Sequence, residues 1–70
     1  MEERRTIERI ILTSDGRDGA LYAVIVCTDG SLGVARNGEL LEDAQWESTR
    51  MNDCVADFAR RADIAELVAH

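Results

Sequence analysis

Along the first forty residues, short runs rich in apolar and β-branched residues alternate with turn dipeptides. The runs cover residues 6–13, 20–28, 31–36 and a stub at 39–42, and between them fall Asp15-Gly16, Asp18-Gly19, Asp29-Gly30 and Asn37-Gly38. Such dipeptides supply the positive φ angles of tight hairpins, so the pattern predicts an antiparallel meander of three to four strands. From Thr49 the period changes. Met51, Val55, Phe58, Ala62 and Ala65 recur at steps of four and three with Cys54 and Ala59 alongside, which places them on one stripe of an amphipathic helix. Arg50, Asp53, Asp57 and Arg61 fall largely on the opposite side, with Asp57 and Arg61 spaced as an i,i+4 ion pair. Ser48 or Thr49 is the expected N-cap. Asp63 followed by Glu66 can cap a fresh turn, so a break near Ala62 before Ile64, Leu67 and Val68 is compatible with the pattern. The expected fold class is α+β: a β-meander followed by a C-terminal helix packed on one sheet face, forming a single domain over residues 1–70.

Tight turns fix register, and register decides which side chains share a face. Treating Asp29-Gly30 as a two-residue turn sets Cys27 opposite Leu32, Ile25 opposite Val34 and Ala23 opposite Arg36. One face then carries Leu21, Ala23, Ile25, Cys27, Leu32 and Val34, and the other carries Tyr22, Val24 and Val26 over the small residues Gly33 and Ala35. The same rule at Asn37-Gly38 pairs Arg36 with Glu39, Leu40 with Ala35 and Leu41 with Val34. One helix covers only one face. With the helix on the Ile25 face, Tyr22, Val24, Val26 and Leu40 remain as an apolar surface that calls for a cover, either a second copy of the chain or a target protein.

Size sharpens that expectation. The chain has 70 residues, and a domain of this length buries only about 60% of its unfolded surface, so a disulfide, a metal or a partner commonly supplements the core. At 46% hydrophobic residues it is too apolar to be disordered. No signal-peptide pattern and no membrane-spanning apolar run is present in the sequence, so a cytoplasmic location is expected. Cys27 and Cys54 are then expected to be reduced, and with His70 they fall short of the four ligands of a structural zinc site. No metal and no cofactor is expected. A partner protein or a homodimer remains.

The net charge is −6, and all eight cations are arginine, which fits coding bias better than anion recognition. The charge is uneven: residues 1–38 hold five arginines against six acids, whereas residues 39–70 hold three against eight. Glu39, Glu42, Asp43 and Glu47 form a run without an intervening cation. A surface of that sign repels nucleic-acid phosphate and anionic lipid and attracts a basic partner; Arg4, Arg5 and Arg9 are offset by Glu2, Glu3 and Glu8. Direct nucleic-acid binding and membrane binding are not expected.

Catalytic chemistry finds little purchase. His70 is the only histidine and stands last in the sequence. Cys27 falls mid-strand on an apolar face, and Cys54, although near a helix start whose dipole favours a thiolate, falls on the apolar stripe. The segment Ser14-Asp-Gly-Arg-Asp-Gly19 lacks the Lys-Ser/Thr ending of a phosphate loop and precedes a strand, and Asp15 with Asp18 does not match the spacing of a calcium loop. Trp46, the single tryptophan, sits among the acids in the expected connection between sheet and helix, where an aromatic anchor inside a charged rim would suit docking; the alternative is that it folds inward and pins the connection to the core. The expectation is a small acidic non-enzymatic interaction module with Glu39, Glu42, Asp43, Trp46 and Glu47 facing a basic protein. One form is an inhibitor of a nucleic-acid or defence enzyme that mimics phosphate charge or occludes a surface, as bacterial or phage mobile elements encode. The alternative is a structural homodimer joined through the sheet face.

Overall fold

A computed structural model of the chain describes residues 6–63. It contains β1 (Ile7–Asp15), β2 (Leu21–Cys27), β3 (Leu32–Arg36), β4 (Glu39–Trp46) and α1 (Met51–Ala62). The strands form one antiparallel sheet in the order β1-β2-β3-β4, and α1 packs on one face of it. This is the α+β meander-and-helix arrangement expected from the change of period. β4 is a full eight-residue strand rather than a stub, so Trp46 ends a strand instead of lying in a connection.

The two inner hairpins use different turns, and the difference sets the faces. At Asn37-Gly38 both residues have positive φ (52° and 87°), the two-residue geometry that suits strand twist. Arg36 accordingly stands opposite Glu39 and Ala35 opposite Leu40, as expected. The β2–β3 turn is one residue longer. Gly30 N–H donates to the Cys27 carbonyl at 2.9 Å and Cys27 N–H to the Ser31 carbonyl at 2.8 Å, with Gly30 at φ 89°. That is a three-residue loop in which the glycine closes a bulge. Its side-chain support comes from Asp29, whose Oδ1 accepts from Ser31 N–H at 3.0 Å and from the Ser31 hydroxyl at 2.6 Å.

The expected register is therefore off by one. Val26 faces Leu32, Val24 faces Val34 and Tyr22 faces Arg36, while Ile25 faces Gly33 and Ala23 faces Ala35. Because side chains alternate, this slip exchanges the partners on both faces. Tyr22, Val24, Leu32, Val34 and Ala44 join Cys54, Phe58 and Ala62 of the helix in the main core, with Val26, Leu12, Leu41, Trp46, Met51 and Val55 packed around them. Ala23, Ile25, Cys27 and Ala35 form a second buried cluster on the opposite face, joined by Ile7 and Leu40. The surface expected from Tyr22, Val24, Val26 and Leu40 does not exist as one patch: the first two are buried beneath the helix, Val26 packs with them, and Leu40 belongs to the other face. Nor does Gly33 leave room for a second sheet. A methyl group there would come within 3.3 Å of Ile25 Cδ1 and 3.4 Å of Leu40 Cδ2, so side chains of the chain itself fill the notch.

Both edge strands are irregular. β1 departs from simple pairing between Ile7 and Arg9 and between Ile10 and Leu12. β4 does so opposite Val34, where the register moves from Ala35↔Leu40 to Gly33↔Gln45. The extra residues in β4 let Leu41 and Ala44 both reach the main core while Leu40 stays on the second face.

The helix stripe is as expected for Cys54, Phe58, Ala59 and Ala62, which are buried, and for Met51 and Val55, which are partly buried. Its N-terminus differs: the cap is Arg50, with no side-chain capping bond, because a turn closed by Arg50 N–H to the Glu47 carbonyl (2.9 Å) carries the chain past Ser48 and Thr49. Asp57 also differs, being buried at 5% exposure rather than solvated. Its carboxylate is held by Arg60 and, at 2.5 Å, by Arg61 Nε, so it is covered by its own counter-ions. At the other end Asp63 adopts the left-handed conformation and its N–H reaches the Ala59 and Arg60 carbonyls. The β1–β2 loop completes this cap: Arg17 N–H donates to the Ala62 carbonyl at 3.1 Å and Arg17 Nε pairs with Asp63 at 2.6 Å. Ile64, Ala65, Leu67, Val68 and His70, with any second helical segment, lie outside the described residues.

Candidate partner-binding surface

The acidic run lies along β4, a free edge of the sheet among the described residues. Glu39, Glu42 and Asp43 are exposed on the strand and Glu47 is exposed just beyond it. What distinguishes them is their counter-ions. Arg36, opposite Glu39 in register, is turned away: its Nη2 reaches Asp18 at 3.3 Å and its Nε donates to the Tyr22 hydroxyl at 3.2 Å. Asp43 is bound by Arg61 at 3.1 Å, and Arg61 also holds Asp57, which fastens α1 to β4. Arg50 is paired with Asp53, and Arg17 with Asp63. Every arginine so engaged has an aspartate for its partner. Among the described residues no ion pair involves Glu8, Glu39, Glu42 or Glu47. The run that is continuous in sequence thus splits into one neutralised carboxylate, Asp43, and three that pair with no described cation.

Trp46 stands opposite Leu32 and packs against the main core, half-buried at the end of β4. Packing on the core anchors the strand end, and the part of the side chain left accessible precedes the exposed Glu47 in sequence.

A second polar cluster, not foreseen from the sequence, lies at the end of the sheet away from Trp46, around Arg36 opposite Glu39. Asp18 Oδ1 accepts from Ala20 N–H at 3.0 Å, while Oδ2 accepts from the Tyr22 hydroxyl at 3.1 Å and from Arg36. The backbone N–H of Ala20, followed by Arg36 and Tyr22, holds the Asp18 carboxyl below its ordinary range. Arg36 lies 6.0 Å from the centre of the Tyr22 ring, and the Tyr22 hydroxyl first and Asp18 second raise the guanidinium pKa. These bonds occupy both oxygens of Asp18 and leave the Gly16–Gly19 turn without a ligand set for a cation. No group of three or more metal-ligating side chains occurs among the described residues.

Both thiols are free and fully buried. Burial pushes Cys54 up to about 11, with Cys27 adding to the effect, and its Sγ lies 3.6 Å from the Gly33 carbonyl. Desolvation overrides the favourable helix-start position, so at neutral pH Cys54 is a protonated core residue rather than a nucleophile. No described helix is long and apolar enough to cross a membrane. Comparison with protein-family models, with curated proteins and with solved structures gave no match to the chain.

Proposed function

We propose that the chain is a non-enzymatic protein-interaction module whose β4 edge docks on a basic surface of a larger protein. The observation that carries this reading is the set of three exposed glutamates, Glu39, Glu42 and Glu47, which no described cation neutralises, beside the half-buried Trp46. Spending the arginines on aspartates concentrates negative potential along one sheet edge, and such a field steers a cationic partner and rejects phosphate. A half-buried tryptophan at the rim offers contact area at little entropic cost, since the core already restrains it. Occupation of a channel that otherwise receives nucleic acid is one form of the function, with carboxylates standing where phosphates would sit. The test is retention of host-lysate proteins on the immobilised full chain and on its E39Q/E42Q/E47Q variant at low and high salt, followed by Kd measurement with the purified binder. A partner that is lost with salt and at least about tenfold weaker for the variant supports the reading; equal retention by both chains, or none by either, overturns it.

A further inference from the structure

The two sheet edges are chemically unlike, and the contrast points to a second interface. β4 is fenced by like charges, which oppose pairing with another copy of itself. On β1, adjacent Ile10 and Ile11 are 56% and 36% exposed; Leu21 is the remaining exposed large hydrophobic residue among those described. Nothing among the described residues pairs with the outer edge of β1. Next to the isoleucines stand Glu8 and Arg9, both exposed and neither in an ion pair among the described residues.

We propose that β1 is a self-association edge at which two copies of this chain meet antiparallel about a two-fold axis between Glu8 and Arg9. The order of the residues makes the edge self-complementary. With the axis there, Glu8 of each copy stands opposite Arg9 of the other, giving two cross-strand ion pairs by symmetry. Ile7 then falls opposite Ile10 of the second copy, and Thr6 opposite its Ile11. The irregularity at Glu8 serves this match. Ile7 pairs with Cys27 and Ile10 with Ile25, both in the second apolar cluster, so Ile7 and Ile10 stand on the same face although three residues apart. Four isoleucines, two from each copy, would thus gather on one face and join the two clusters into a single apolar layer. The irregular backbone keeps the paired stretch short. The dimer is therefore small and weak, with a Kd on the order of 100 µM. It leaves the acidic β4 edges at the two far ends and does not depend on their function.

Sedimentation equilibrium of the full chain from about 10 µM to 1 mM tests this, with circular dichroism to verify that each variant is folded. The wild type should dimerise, and I10K, at an exposed position, should abolish the dimer without unfolding the chain. E8R and R9E should each weaken association by about tenfold, since each converts two attractive pairs into repulsive ones. The double variant E8R/R9E recreates both pairs with reversed polarity and should recover the wild-type Kd within about threefold. A chain that stays monomeric to 1 mM, a dimer indifferent to I10K, or a double variant no better than either single one overturns the proposal.

Discussion

Gly16 is where the smallest change should have the largest structural effect. A methyl group at this position would lie 2.5 Å from Tyr22 Cε1, 2.8 Å from Tyr22 Cδ1 and 2.9 Å from Asp18 Oδ1. The ring cannot swing aside freely. Its hydroxyl donates to Asp18 at 3.1 Å and accepts from Arg36 Nε at 3.2 Å, and Tyr22 is only 6% exposed. Gly16→Ala must displace the ring, at an overpacking cost of about 1–3 kcal/mol, and must stretch two hydrogen bonds worth about 1 kcal/mol each. A loss of about 2–3 kcal/mol follows, against the 3–5 kcal/mol or so that a core of this size supplies, and the Tm should fall by about 10–20 °C. Urea unfolding followed by Trp46 fluorescence measures it. The same substitution in a Tyr22→Val background tests the cause, because valine has no atoms where the ring clash occurs. There Gly16→Ala should cost at least about 1 kcal/mol less, since only the Asp18 Oδ1 contact at 2.9 Å remains and the backbone at Gly16 is not left-handed. An equal cost in both backgrounds would refute the steric account.

Asp57→Asn should destabilise by about 1–3 kcal/mol in thermal unfolding, because Arg61 is only 25% exposed and loses a buried partner; Asp53→Asn, which breaks an exposed pair, should cost less than about 0.5 kcal/mol. Cys54 ionises near 9.0 when unfolded and at about 11 when folded, so its contribution is complete below pH 9 and is lost as pH rises towards 11. Cys54→Ala should remove about 2–3 kcal/mol of that alkaline decline in urea titrations between pH 8 and about 11. Asp18 has the opposite sign. Its folded pKa lies below the ordinary 3.8, so its contribution is present above that value and fades as pH falls through the folded pKa, and Asp18→Asn should flatten the acid limb of the stability profile.

The parts of the fold that depend on period were legible in the sequence. Apolar β-branched runs between turn dipeptides marked the strands, the 3–4 spacing marked α1, and Asn37-Gly38, with positive φ at both residues, gave the Arg36–Glu39 and Ala35–Leu40 pairs, while the Leu41–Val34 pair expected next falls where the register shifts. Asp29-Gly30 looked the same but works differently: Thr28 joins the loop and Gly30 alone turns left-handed. A dipeptide does not encode loop length, and one extra residue moved the proposed interface under the helix. Asp57 was misplaced for a related reason. A helical wheel gives direction but not cover, and the arginines at i+3 and i+4 supply the cover. The acidic edge was visible as composition. Its division into one paired aspartate, Asp43, and three glutamates in no ion pair among the described residues was not, because that depends on Arg61 reaching across from α1 and on Arg36 turning to Asp18. The adjacent Ile10 and Ile11, which break alternation in β1, were the one available sign that this strand is bulged.

The contact between the Arg17 N–H and the Ala62 carbonyl joins an early hairpin to the last described turn of the helix. The three hairpins join neighbouring residues, whereas this bond closes a loop between positions 17 and 62, whose chain entropy must be lost before the contact rewards it. Val24, Val34 and Leu32 pack against Cys54, Phe58 and Ala62 of α1, so the bond that caps the helix also fastens the element that keeps the sheet's main apolar face from water.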